Sequence, residues 1–209
     1  MILEGKELRF GYGDGPELLD GISLCLESGQ RLGLMADSGY GKTTLCRLLA
    51  GYERPRGGAV LLDGRPLSAW EKDGGGYCPV QLLWQHPEQA VNPRRTMKYV
   101  IREGDGISPR ILEGLEIRQE WMERYPAELS GGELQRFCIA RALGERTRFL
   151  LADEMTAMLD LITQSRIWTF LLNEVEQRKL GLLVVSHSRP LLERVCDSIL
   201  SLDGQAGDM

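Results

Sequence analysis

Several things are scarce in this sequence. It has no CxxC pair, its five cysteines (Cys25, Cys46, Cys78, Cys138, Cys196) are scattered and odd in number, and it has only two histidines. A disulfide framework and a structural zinc site are both disfavoured, which leaves reduced thiols in a cytosolic protein as the expectation. No stretch reaches the roughly 18 apolar residues of a membrane-spanning helix. Charges in the opening MILEGKELRF break the apolar run that a secretory leader needs. Any membrane role is therefore expected to come through a partner. A basic excess is missing as well: 25 Lys and Arg against 30 Asp and Glu give a net charge of −5. General nucleic-acid binding has no electrostatic support in that balance.

What the chain does have is an ordinary globular composition, 43% hydrophobic and 26% charged over 209 residues, a length that suits one large domain or two small ones and allows a buried core. Glycine is in excess, 25 of 209 or about 12%, against a usual level of about 7%. Such an excess reflects loose loops, or else places where backbone must approach something closely.

Strand and helix signals alternate along the chain. Residues Ile2 to Phe10 and Ile22 to Leu26 alternate apolar with polar around a glycine-rich turn, as antiparallel strands do. Apolar runs at Arg31 to Ala36, Ala59 to Leu62, Val80 to Trp84, Phe149 to Ala152 and Leu182 to Val185 predict further strands. Helical spacing follows the first of these runs and stops at Gly51, and it returns over Leu161 to Leu180. The pattern predicts an α/β fold with a mostly parallel core sheet, an antiparallel β portion and a small helical portion. The expected division is a core of about residues 1–92 and 147–209, with a helical subdomain of about 93–146. Gly57, Gly58 and the run Gly74 to Gly76 read as turns.

Residues Ala36-Asp37-Ser38-Gly39-Tyr40-Gly41-Lys42-Thr43 nearly fit the phosphate-loop pattern G-x-x-x-x-G-K-[ST], between a strand and a helix as that motif requires. Backbone N–H groups wrap the phosphates, the helix presents its positive end, Lys42 reaches the outer phosphate oxygens, and the Thr43 hydroxyl meets Mg²⁺. Alanine replaces the first glycine at position 36. A glycine turn before a core helix with an incidental lysine is the plainer alternative. Further on, Leu129-Ser130-Gly131-Gly132-Glu133 opens a helix-forming stretch. It is a second set of free N–H groups, and equally an ordinary helix cap with Ser130 and Glu133 three positions apart.

Taken in this order, the two motifs resemble the ATP-binding cassette (ABC) family, and the resemblance spans nearly the whole chain. Phe149-Leu150-Leu151-Ala152-Asp153-Glu154 is similar to its Walker B strand, which implies a metal-holding Asp153 and a water-polarising Glu154. Gln85 resembles the Q-loop glutamine that contacts metal and water and meets the membrane subunit, and His187 resembles the switch histidine that reaches the γ-phosphate. Tyr12 resembles the aromatic that stacks on adenine, with Phe10 as a neighbouring candidate. The carry-over adds Asp37, Ser38, Gly39, Tyr40, Gly41, Lys42, Thr43 and Thr44 as ATP-binding residues, and Thr43, Gln85 and Asp153 as the Mg²⁺ set. Ser130, Gly131, Gly132 and Glu133 would cover ATP held by another subunit. Met155, Ala157 and Met158 depart from the family pattern, while Asp160 of its D-loop is kept.

The stretch Gln85-His86-Pro87-Glu88-Gln89-Ala90-Val91-Asn92-Pro93-Arg94 and the run Arg124-Tyr125-Pro126 resemble the dipeptide, oligopeptide and nickel importer group. That likeness implies a Mg²⁺-dependent ATPase acting as a homo- or heterodimer with a second cassette. It would sit on permease subunits at the cytoplasmic face of the membrane, be served by a solute-binding protein, and have no nucleic-acid partner. Two other readings are a cassette ATPase acting on nucleic acid and a weakly hydrolysing regulatory subunit.

Overall fold

The computed structural model describes residues 1–35, 39–73 and 76–202. Its strands are β1 (Ile2–Phe10), β2 (Leu19–Glu27), β3 (Arg31–Met35), β4 (Gly57–Leu62), β5 (Arg65–Pro66), β6 (Val80–Leu83), β7 (Phe149–Asp153), β8 (Gly181–Val185) and β9 (Ser198–Ser201). They divide into an antiparallel sheet, β2-β1-β4-β5, and a five-stranded parallel sheet, β6-β7-β8-β3-β9. The expected α/β class, with its parallel core sheet and antiparallel portion, is what the chain forms.

Every residue of β7 and β8 is buried, so these strands read as continuous apolar runs, because a parallel sheet covered on both faces needs apolar residues on both. Alternate side chains enter different cores. Leu151, Leu183 and Val185 pack with helix α1 (Lys42–Leu49) and the antiparallel sheet. Leu150, Ala152, Leu182 and Val184 pack with α6 (Leu161–Arg178) and α7 (Arg189–Val195). Truncating any of these leucines to alanine would cost about 2–5 kcal/mol.

In the antiparallel sheet, the pairing of β1 with β4 shifts register between Lys6 and Arg9. Gly57 and Gly58, expected as turns, lie instead inside β4 at that irregularity. Gly58 has φ +76°, and a Cβ there would fall 2.2 Å from the Lys6 carbonyl oxygen, so the bulge requires glycine. Of the run Gly74 to Gly76, the first two residues lie outside the described residues.

After β5 comes α2 (Leu67–Asp73); α3 (Met97–Glu103), α4 (Pro109–Gly114) and α5 (Gly131–Ala142) fall between β6 and β7. They enclose a third, smaller core of Met97, Val100, Trp121, Met122, Leu134, Phe137 and Cys138. Because β3, β6, β7 and β8 run parallel, the residues that follow them all emerge along the same edge of the sheet, where ligands gather in open α/β sheets.

Candidate active site

The phosphate loop begins where β3 ends. Asp37 and Ser38, with Ala36, lie outside the described residues. Gly39 and Gly41 both take left-handed backbone, φ +91° and +79°. Gly41 is also pressed onto Leu19, whose Cδ2 would lie 2.8 Å from any added Cβ. Tyr40 stands between them, exposed. Lys42 opens α1 and is only 7% exposed. The first turn of that helix has N–H groups with no acceptor inside the helix, which makes it an anion site.

One residue on, the Thr43 side chain is hydrogen-bonded to the Asp153 carboxylate. Asp153 ends β7 and is 4% exposed. Burial pushes its carboxyl above the usual range and the charge of Glu154 adds to this, against the Thr43 hydrogen bond and the nearby Arg47 and Lys42 cations. A hydroxyl and a carboxylate held together under a lysine are hard oxygen donors of the kind Mg²⁺ takes. Thr44 lies 3.1 Å from the Tyr12 hydroxyl, and the Tyr12 ring meets Phe10 edge-on at 4.9 Å. Phe10 is buried and Tyr12 is half-exposed, so Tyr12 is the ring with a free face beside the loop.

Glu154 follows β7 with φ +46°, a left-handed conformation that side chains other than glycine adopt at a cost. Its N–H donates to the Val185 carbonyl at 3.0 Å. Its carboxylate is engaged at both oxygens: Oε1 lies 2.8 Å from His187 Nε2, and Oε2 accepts from Gln85 Nε2 at 3.3 Å. Three residues that were separate in sequence thus form one cluster at the ends of β6, β7 and β8. Behind it, the Thr156 hydroxyl accepts from both Gln164 Nε2 (2.8 Å) and Trp168 Nε1 (3.1 Å), fixing the turn after Glu154 onto α6. Met155, a departure from the family pattern, is buried in the α6 and α7 core. Met158 is 67% exposed. Asp160 caps α6 by accepting the N–H groups of Ile162 and Thr163, which hold its carboxyl below the usual range.

The Ser130 motif sits elsewhere. Ser130 caps α5 reciprocally: its Oγ accepts from the Glu133 N–H at 3.3 Å, while Glu133 Oε2 accepts from the Ser130 N–H at 2.8 Å. The capping role is therefore present, and the Gly131 and Gly132 N–H groups, in the first turn of α5, have no acceptor within the helix. A Cβ on Gly131 would meet nothing within 4 Å, and one on Gly132 would make ordinary contact with Leu159 and Thr163. These residues line an open depression of about 920 Å³ together with Met158, Asp160 and Arg166. The fold therefore gathers Lys42, Thr43, Asp153, Glu154, Gln85 and His187, and leaves Ser130 to Glu133 on a face of their own.

Sequence reasoning missed the support behind this cluster. Arg47 lies over the ring of Trp84 at 5.1 Å, and Tyr52 meets that ring edge-on at 5.2 Å. Thr156 was also missed, and a lone threonine in a turn gives no signal that it will anchor two side chains.

Comparison with known proteins agrees with this geometry. Residues 19–157 match the family described as ABC transporter. The chain is 32% identical to the nickel import ATP-binding protein NikE of Escherichia coli strain K12, over 89% of this chain and 75% of that protein. In three dimensions it resembles the solved ATP-binding subunit of an ABC transporter, with TM-score 0.83 and 23% identity over 97% of this chain and 86% of the other. It also resembles a bacterial ABC transporter cassette solved as a dimer, with TM-score 0.79 and 24% identity over 96% and 94% of the two chains.

Proposed function

The chain belongs to the ABC transporter family as an ATP-binding subunit, and from that premise we propose that it hydrolyses ATP, dependent on Mg²⁺, to drive import of nickel ion or a small peptide. The observation that carries this reading is the Glu154 carboxylate, held between His187 and Gln85 one residue from the buried Asp153. In the proposed reaction, Lys42 and the α1 N-terminus bind the β- and γ-phosphates, and Tyr12 stacks on adenine. Glu154 orients the attacking water, and His187 holds the γ-phosphate. Asp37, Ser38, Gly39, Tyr40 and Gly41 complete the wrapping of the phosphates. Thr43, Asp153 and Gln85 would hold Mg²⁺, which when bound spreads the negative charge of the phosphates.

Ser130, Gly131, Gly132 and Glu133 act on ATP carried by a second cassette, identical or related. The open depression in front of them supports this, as does the dimeric form of the cassette relative. Residues 93–146 form the helical arm that brings them there. Membrane permease subunits anchor the complex at the cytoplasmic face, and a solute-binding protein delivers the cargo. Among the described residues no helix is long and apolar enough to cross a membrane, which suits a subunit that reaches the membrane through partners. The nickel import relatives and the importer-like stretch from Gln85 to Arg94 support the choice of cargo.

The substitution Glu154→Gln tests the reading. ATP binding should persist within a few-fold, while steady-state phosphate release falls by at least about 100-fold. Turnover equal to wild type would overturn the assignment.

A further inference from the structure

Helix α5 is stitched along one face to the segment that carries Gln85. Gln135 Nε2 donates to the Trp84 carbonyl at 3.4 Å, Cys138 Sγ to the Pro87 carbonyl at 3.7 Å, and Arg141 Nη1 to the Ala90 carbonyl at 2.7 Å. Donors and acceptors both advance by three, so each rung joins residues 51 apart. A step of three keeps the donors on neighbouring positions of an α-helix. Pro87 opens and Ala90 closes the 3₁₀ turn Pro87–Gln89, in which residues three apart share a side, and Trp84 lies three residues before it. Cys138 is buried, which pushes its thiol pKa up to about 11, so at neutral pH it is the protonated donor this rung needs.

The rung nearest the reaction centre is the one with no packing rationale. Gln135 is 1% exposed, and its Oε1 has no hydrogen-bond partner. A leucine or methionine would fill the same space and leave no orphaned oxygen, so the amide is kept for its single directed hydrogen bond. Trp84, which receives that bond, is clamped on its ring by Arg47 and Tyr52, and its next residue is Gln85, which reaches Glu154.

We infer that Gln135, assisted by Cys138 and Arg141, is a positioning residue for Gln85: the helix that begins at Ser130 carries residues 84–90 with it. A displacement of Ser130 to Gly132 is thereby delivered to the contact between Gln85 and Glu154. The inference rests on the proposed ATPase reading and assigns to these three side chains a role within it.

Hydrogen–deuterium exchange on the full chain, with and without ATP and Mg²⁺, tests it without requiring turnover. In wild type, exchange over 84–90 and over 130–141 should change together. In the double variant Q135L/R141M the change over 84–90 should shrink at least fivefold, with ATP affinity and the response over 130–141 within twofold of wild type. Where turnover is measured, Q135L should lower kcat about tenfold with KM for ATP within twofold. The ratio of Q135E to wild-type kcat should rise as pH is lowered, because a protonated buried carboxyl restores the donor. The inference is overturned by a wild-type exchange response in the double variant, by loss of kcat matched by loss of affinity, or by a pH-independent Q135E ratio. Should Q135L fail to fold, Q135E decides alone. A wild-type chain that does not bind ATP overturns the parent reading, and this inference with it.

Discussion

The two glycine-bearing loops of this protein face opposite circumstances. The phosphate loop runs into the core at its last residues: Gly41 presses on Leu19, Lys42 is nearly buried, and Thr43 of α1 bonds to a carboxylate delivered by β7. The Ser130 loop satisfies itself through Glu133 and leaves Gly131 facing open space, with Gly132 against Leu159 and Thr163. One loop is thus completed at its end by its own chain, and the other is finished locally while Gly131 remains uncovered. Substitutions in the first loop should disturb the molecule and its ligand together, whereas substitutions in the second should leave the molecule intact and remove only what must approach it.

The strongest way to break this contrast is Gly131→Trp. Open space around that position predicts thermal stability within about 0.5 kcal/mol of wild type and unaltered ATP binding to the chain's own phosphate loop. Turnover should fall on the order of 100-fold, the size expected when donors to a developing charge are blocked. A lowered melting temperature would show that the second loop is as embedded as the first. Lys42→Met should act in the opposite sense, weakening ATP affinity roughly 10- to 100-fold by loss of a charge-assisted hydrogen bond, as isothermal titration would read.

A smaller effect is expected at Asp153, whose folded carboxyl is raised above its unfolded value. A raised acid contributes most stability when protonated and loses it as pH rises through the folded pKa. Asp153→Asn should therefore melt above wild type at neutral pH, by an amount on the order of 1 kcal/mol or about 2–4 °C. The gap should close as pH falls toward the unfolded value of about 3.9. Equal melting temperatures at pH 7 would remove burial as the cause of the shift. Tyr12→Phe should be mildest: it deletes the bond to Thr44 but keeps the ring, so ATP affinity should fall only about two- to tenfold.

Much of the core could be read from the sequence because its signals are local. The runs that became β3, β7 and β8 are apolar throughout, Gly51 stops α1 with φ +78°, and the acids and the histidine stand where those strands end. The strand β9 gave no such signal. Its residues Ser198 to Ser201 are mostly exposed, and it exists because β3 offers a parallel edge and Arg31 bonds to Asp197 beside it. The Glu154 cluster was legible as residue types in order, but not as contacts, since both oxygens of one carboxylate are claimed from two other strand ends. The rungs from α5 were invisible for a related reason: Gln, Cys and Arg share no chemical pattern, and only the fold sets them opposite three carbonyls.

The alternate side chains of β7 and β8 have a consequence for how the protein comes apart. Each strand supplies residues to two cores at once, so neither can dissolve without exposing the other, and the sheet with its flanking helices should open as one cooperative unit. The third core is tied in the same way: α5 gives it Leu134, Phe137 and Cys138 while giving Ile139, Ala140 and Ala142 to the α6 and α7 core, and Ile101, Leu112 and Ile117 pack against both. The helical portion should therefore open with the sheet as part of the same unit, and amide protection along residues 134–142 should approach that of β7 and β8.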